Sequence, residues 1–200
     1  VVDPRRLWRG SLDVLGEVAE MYGAPRAVAP DRVATDAEIA ARGVRAIPTP
    51  GHAPHHLAYL AGDVLFAGEA FGATLPLPSG EIYLRPATPP RFFLGPYLDS
   101  IDRLAALEPE PARTAFAHFG ERPGVRRWAA LAREQIVRWV AAVDELVRAG
   151  ADPLEPALFE RLMRDDPLFG RGRFDELDAD LQARERHFLG NALEGIAGAR

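Results

Sequence analysis

The sequence contains no cysteine, so disulfides, thiolate metal sites and cysteine nucleophiles are excluded. It contains no lysine either, because all 24 basic residues are arginine. That removes Schiff-base chemistry on the protein and the lysine of a phosphate-binding loop. Serine is confined to positions 11, 79 and 100, and none lies in a G-x-S-x-G elbow. No apolar run approaches the roughly 20 residues of a membrane span, and no signal-peptide pattern is present. The formal net charge of −5 argues against a nucleic-acid partner. These absences predict a cytoplasmic protein with no membrane partner. Carboxylate, imidazole, arginine, tyrosine and a bound metal remain to carry chemistry.

The 200 residues can bury a substantial core. Leu12, Leu15, Val18 and Tyr22 recur at helical spacing behind Ser11, a plausible N-cap, and predict a helix over 11–22. A further helical turn is expected near Asp36. Short apolar runs predict strands at 44–48, 57–61 and 64–67, the last two joined by a tight turn at Gly62-Asp63. Prolines at 76, 78, 86, 89, 90 and 96 argue against regular structure over 73–96 and predict a long functional loop. A helix follows over 97–107, with Leu98, Ile101, Leu104 and Leu107 on one face, then a strand at 114–117. From Pro123, read as a helix start, the period is helical to Gly150, with further helices near 155–164 and 176–197. Strands followed by helices suggest a domain over 1–121 and a helical region over 122–200.

The densest polar cluster is Pro50-Gly51-His52-Ala53-Pro54-His55-His56, directly after a strand. Loops at strand ends are where a rigid scaffold presents ligands and catalytic groups. Glu69 follows the strand at 64–67, and His118 follows the one at 114–117. Three strands therefore each end in a group that can bind a metal. Imidazole and carboxylate together suit a borderline cation such as zinc.

Pro50-Gly51-His52, then Leu65-Phe66-Ala67-Gly68-Glu69, then Ala117-His118-Phe119-Gly120 resembles the latter half of the metallo-β-lactamase superfamily. The resemblance covers roughly residues 40–120 and rests on three motifs in order. It implies an α/β fold, the second half of an αββα sandwich, here with a C-terminal helical appendage. It implies hydrolysis of an ester, thioester, lactone or phosphoester by metal-activated water, with one or two zinc ions or another divalent metal. By resemblance His52 binds one metal, His118 binds a second, and the catalytic carboxylate Glu69 bridges them. His56 falls where a further, supporting histidine often stands.

Two departures matter. Glu69 stands where the family usually has Asp, and its longer reach favours binding one metal over bridging two. The family's leading H-x-H-x-D-H motif is absent from these residues. The chain opens on Val1-Val2-Asp3-Pro4, which reads as mid-chain loop. A C-terminal part of a larger enzyme, inactive alone, is therefore expected. The alternative is a degenerate half-fold kept for binding or assembly.

Other polar residues carry two readings each. Arg85 could grip a small-molecule substrate's carboxylate or phosphate, or anchor its loop on backbone carbonyls. Tyr59 and Tyr83 could face the same pocket. His56 could support a ligand or make ordinary hydrogen bonds. His55 and His187 read as solvent-facing, and Trp128 and Trp139 as core. The C-terminal helices could roof the site or build a homodimer interface.

Overall fold

A computed structural model describes residues 1–198, without the side chains of Val14 and Leu15. By its contacts the chain forms two compact units, Val1–Gly43 and Val44–Arg200.

In the first unit, helix α1 spans Arg5–Leu15 and α2 spans Glu17–Tyr22. The expected single helix with Ser11 as its cap is thus corrected. The ladder starts earlier, with Trp8 N–H donating to Pro4 O at 2.8 Å, so Ser11 sits mid-helix. Gly16, at φ 52°, separates the two helices. Val18 and Tyr22, which recur at helical spacing, are exposed, whereas Ala19 is buried. Leu15 of that apolar stripe lies outside the described side chains. Helix α3, Asp36–Ala41, begins with a capping box in which Thr35 and Glu38 each satisfy the other's backbone N–H.

In the second unit, β1 (Val44–Pro48), β2 (Leu57–Ala61), β3 (Val64–Gly68), β6 (Arg113–Phe116) and β7 (Glu121–Pro123) form one sheet in the order β1-β2-β3-β6-β7. All neighbours are antiparallel except β3 and β6, which run parallel. The parallel pair brings the C-terminal ends of β3 and β6 side by side. Between them in sequence lie a hairpin, β4 (Ala73–Pro76) with β5 (Ile82–Arg85), and helix α4 (Leu94–Ala105).

That hairpin overturns the expectation of no regular structure over 73–96. Pro76 is the last residue of β4, Pro78 lies in the turn and Pro86 follows β5. A two-stranded sheet consists of edge strands, which tolerate proline at their ends. Helix α4 starts before residue 97, because Pro96 is accommodated in its first turn. Pro123 ends β7 and does not open a helix. Helix α5, Arg126–Arg148, starts after it, where Glu110 accepts from the Val125 and Arg126 N–H groups at 2.9 Å each.

The remaining helices are α6 (Leu154–Asp165), α7 (Arg171–Phe174) and α8 (Ala179–Gly198). They share one apolar core with the sheet and with α4 and α5. Phe116 of β6 meets Trp128 of α5 edge-on at 5.6 Å, and Trp139 meets Phe169 at 5.3 Å. Where this core holds a charge, it is satisfied. Buried Asp166 accepts from Trp139 Nε1 at 2.6 Å, Gln135 Nε2 at 3.0 Å, and the Leu168 and Phe169 N–H groups.

The strands alternate. Ile47, Ala58, Leu65, Ala67 and Phe116 point into the core, whereas Leu57, Tyr59 and Phe66 are 39%, 38% and 48% exposed on the opposite face. Tyr59 and Phe66 are directly paired across β2 and β3. Across β2 and β3 that face therefore carries exposed apolar side chains. No helix among the described residues is long and apolar enough to cross a membrane.

Candidate metal centre at the strand ends

His52 is placed by a tight approach of its loop to α4. Gly51 has φ 139°, and a Cβ there would lie 2.4 Å from Tyr97 Cα and 2.7 Å from Tyr97 N. Only glycine brings the two backbones this close. The approach is tied by Phe93 N–H to Gly51 O at 3.1 Å and by Ser100 Oγ to Pro50 O at 2.7 Å. The loop closes on itself through Thr49 N–H to His56 O at 2.9 Å.

Glu69 is placed by an irregularity. Phe66 pairs with Ala115, but Gly68 pairs with Phe116, so Ala67 is an extra residue on β3. Such a bulge bends the strand and re-aims the residues beyond it. Gly68 completes it at φ 58°. A Cβ there would meet His56 Nε2 at 2.5 Å, so that ring packs on the bulge. His56 Nε2 accepts from Glu69 N–H at 3.1 Å, which leaves its proton on Nδ1 to donate to Thr49 Oγ1 at 2.7 Å. His56 is thus spent on backbone and hydroxyl and supports Glu69. Burial and the neighbouring His52 charge lower its pKa, which keeps it neutral.

His118 follows β6 in a turn where Phe119 takes φ 59°. Thr74 of β4 holds this turn, with its hydroxyl 2.7 Å from His118 O and 3.0 Å from Phe119 O. The three expected residues come together. His52 Nε2 lies 2.7 Å from one Glu69 oxygen, and His118 Nε2 lies 3.2 Å from the other. Burial would raise the Glu69 carboxyl, but hydrogen bonds and charge from His52, then His118, outweigh it and hold it at about 2. Burial likewise opposes protonation of His52, and Glu69 overcomes it, so the ring's pKa is raised.

The donors close on one another. Among the described residues, no group of three or more His, Asp or Glu side chains surrounds a metal-sized space. Their chemistry nevertheless fits a divalent cation: one carboxylate faces two imidazole nitrogens, one on each oxygen. His52 Nδ1 is 3.0 Å from Ala87 O, a carbonyl that fixes the proton on Nδ1 and leaves Nε2 as the donor atom.

The other candidates lie elsewhere or are occupied. Arg85 is paired with Glu185 at 2.5 Å and donates to Pro86 O, so its guanidinium acts as an anchor. Tyr83 is buried with its hydroxyl on Glu185 at 3.1 Å, and burial pushes its pKa well up. Tyr59 lies on the open sheet face. His55 and His187 are exposed. Sequence reasoning missed Thr49, Thr74, the Ala87 carbonyl and Glu185. Thr49, beside the Pro-Gly-His run, offered a signal; a backbone carbonyl offers none.

The family model described as the metallo-beta-lactamase superfamily matches residues 6–115. The metallo-beta-lactamase fold-containing protein ST1585 of Sulfurisphaera tokodaii is 31% identical over 122 residues, 58% of this chain and 44% of that protein. The crystal structure of ST1585, described as an archaeal metallo-beta-lactamase superfamily protein from Sulfolobus tokodaii, superposes with a TM-score of 0.63 at 21% identity. That match covers 98% of this chain and 64% of the other. The metallo-beta-lactamase family protein TTHA1429 from Thermus thermophilus matches at a TM-score of 0.48 and 26% identity, over 76% of this chain and 52% of that one. The chain thus spans less than two thirds of the length of each of these relatives.

Proposed function

The chain belongs to the metallo-β-lactamase superfamily, and on that premise we propose that it carries part of the centre of a metal-dependent hydrolase. The observation that carries this reading is the Glu69 carboxylate between His52 Nε2 and His118 Nε2, at 2.7 and 3.2 Å. In this reading His52, Glu69 and His118 hold one or two divalent cations, zinc being the best match to imidazole and carboxylate. A cation held by these residues would lower the pKa of its water toward about 7 and would polarise the scissile carbonyl or phosphoryl group. His56 keeps the Glu69 backbone in place, and Ala87 O keeps the His52 ring in one orientation. The substrate class is an ester, thioester, lactone or phosphoester.

No H-x-H-x-D-H segment occurs within the 200 residues, so these residues alone supply three donors. A catalytic zinc takes three protein ligands on one ion plus water. We therefore expect weak zinc binding and little turnover from this chain by itself. The test is zinc content by elemental analysis, with ester and phosphoester hydrolysis, for the parent and for His52→Ala. Loss of zinc in the variant supports the reading. Equal zinc content in both, after equilibration with excess zinc, would refute it.

A second reading is favoured by the sheet face on which Leu57, Tyr59 and Phe66 are exposed. In it the chain is a non-catalytic module that assembles through this face. Sedimentation with Tyr59→Ser and Phe66→Ser separates the two readings. Self-association that these changes abolish, without zinc binding in the parent, favours the module.

A further inference from the structure

Glu185, Leu189, Ala192, Gly195 and Ile196 form the buried face of α8. Part of that face meets the segment 86–93, which follows β5 and has no regular structure. A Cβ on Gly195 would fall 2.2 Å from Pro89 O and 3.1 Å from Thr88 O. The helix backbone therefore rests directly on the segment. Ten residues earlier on the same helix, Glu185 takes the Arg85 guanidinium at 2.5 Å and the Tyr83 hydroxyl at 3.1 Å. Arg85 also lies 4.4 Å above the Phe188 ring. One helix thus holds the chain on both sides of Ala87, at residue 85 and at 88–89. Between these anchors, the Ala87 carbonyl sits 3.0 Å from His52 Nδ1. A carbonyl only accepts, so Nδ1 carries a proton here and donates it to Ala87, while Nε2 faces the Glu69 carboxylate at 2.7 Å.

We propose that α8 is the positioning element for His52: by clamping residues 85–89 through Glu185 and Gly195, it sets the Ala87 carbonyl and thereby the Nδ1–H hydrogen bond and the direction of the ring. The functional consequence rests on the reading of His52 as a metal donor, but the positioning itself does not. Partners that fix the second nitrogen of a metal-binding histidine act on metal affinity without touching the metal. Here that partner is a backbone carbonyl, secured by an ion pair to a residue 100 positions further along the chain. A helix that contributes no donor would therefore control one.

The test is proton–nitrogen NMR of the His52 Nδ1–H in the whole, metal-free, nitrogen-15-labelled chain. The resonance is assigned by its disappearance in His52→Gln. The parent should show an Nδ1 proton held in a hydrogen bond and slow to exchange with water. Gly195→Ala should release that proton to fast exchange and weaken zinc binding roughly 10–100-fold. Gly190→Ala is the control on the same helix. Its new methyl meets only the movable Glu155 carboxylate, at 3.4 Å, and should leave His52 unchanged. If Gly195→Ala does not fold, Glu185→Gln, which weakens the hold on Arg85 without adding volume, is read in the same way. A folded Gly195→Ala chain, or failing that a folded Glu185→Gln chain, with the parent's slowly exchanging His52 Nδ1 proton overturns the proposal. If that proton is released as expected but the parent binds no zinc, the positioning stands and the metal reading falls.

Discussion

Gly51→Ala tests the link between backbone packing and the metal centre most directly. The added methyl would lie 2.4 Å from Tyr97 Cα, 2.5 Å from its Cβ and 2.7 Å from its N. None of these atoms is the free end of a flexible side chain, so either α4 or the 49–56 loop must move. A non-glycine residue held at φ 139° adds backbone strain. Strain of this kind costs about 1–3 kcal/mol, and overpacking costs about as much again. We expect a total loss of about 2–6 kcal/mol, a large share of a domain's stability. Urea unfolding followed by tryptophan fluorescence should show a lower midpoint with an unchanged slope. The same shift pulls on the Phe93–Gly51 and Ser100–Pro50 hydrogen bonds and so moves His52 away from Glu69. Zinc affinity should therefore fall together with stability. A loss below about 1 kcal/mol, the size of an ordinary substitution, would show that the loop and α4 separate freely and that Gly51 does not place His52.

Three further outcomes follow from the geometry. His56→Ala removes the acceptor of Glu69 N–H and the partner of Thr49 Oγ1; isothermal titration should show zinc affinity reduced roughly 10–100-fold, and an unchanged affinity would mean that Glu69 is held by other groups. In the metal-free chain, the pKa of Glu69 falls on folding from 4.5 to about 2. Its contribution to stability is therefore complete above pH 4.5 and is lost as pH drops toward 2. The His52 pKa is raised, so its contribution is complete below 6.5 and is lost as pH climbs through the raised value. Both limbs report largely one ion pair and are not added. Thermal melts against pH should show the two limbs in the parent and lose them in Glu69→Gln; identical profiles would contradict the pairing. Asp166→Ala strips the partner from Trp139 Nε1 and from two backbone N–H groups in the core, which should cost about 3–5 kcal/mol by chemical unfolding, and a near-neutral effect would mean that water replaces the carboxylate.

The sequence was readable where local rules and tertiary contacts agree. Apolar runs bounded by Gly62-Asp63 marked β1, β2 and β3 within a residue of their observed limits, because buried strands need little beyond burial and a turn. The β4–β5 hairpin was hidden by proline, whose harm depends on whether its missing N–H falls inside a ladder or at an edge. Position along an edge is a tertiary fact. The N-terminal helix was misjudged for a related reason: Pro4 O accepts the first helical hydrogen bond, and Arg5 and Arg6 look like loop. At the centre, the three strand-tip donors were visible as residue types in order. Their supports were not, since Ala87 acts through its carbonyl and Glu185 reaches the site only through Arg85. Arg85 shows how a charge in a proline-rich loop can be mistaken for a substrate grip when its partner lies far along the chain.

The odd residue at Ala67 has a consequence for how this strand tolerates change in length. Removing one residue there would let Phe66 and Gly68 follow one another as Ala115 and Phe116 do, with each later side chain still on its own side of the sheet. The strand would lose its bend, and the acid at 69 would be aimed off the two imidazoles although its chemistry was untouched. Curvature, more than composition, is what the tip of this strand must preserve.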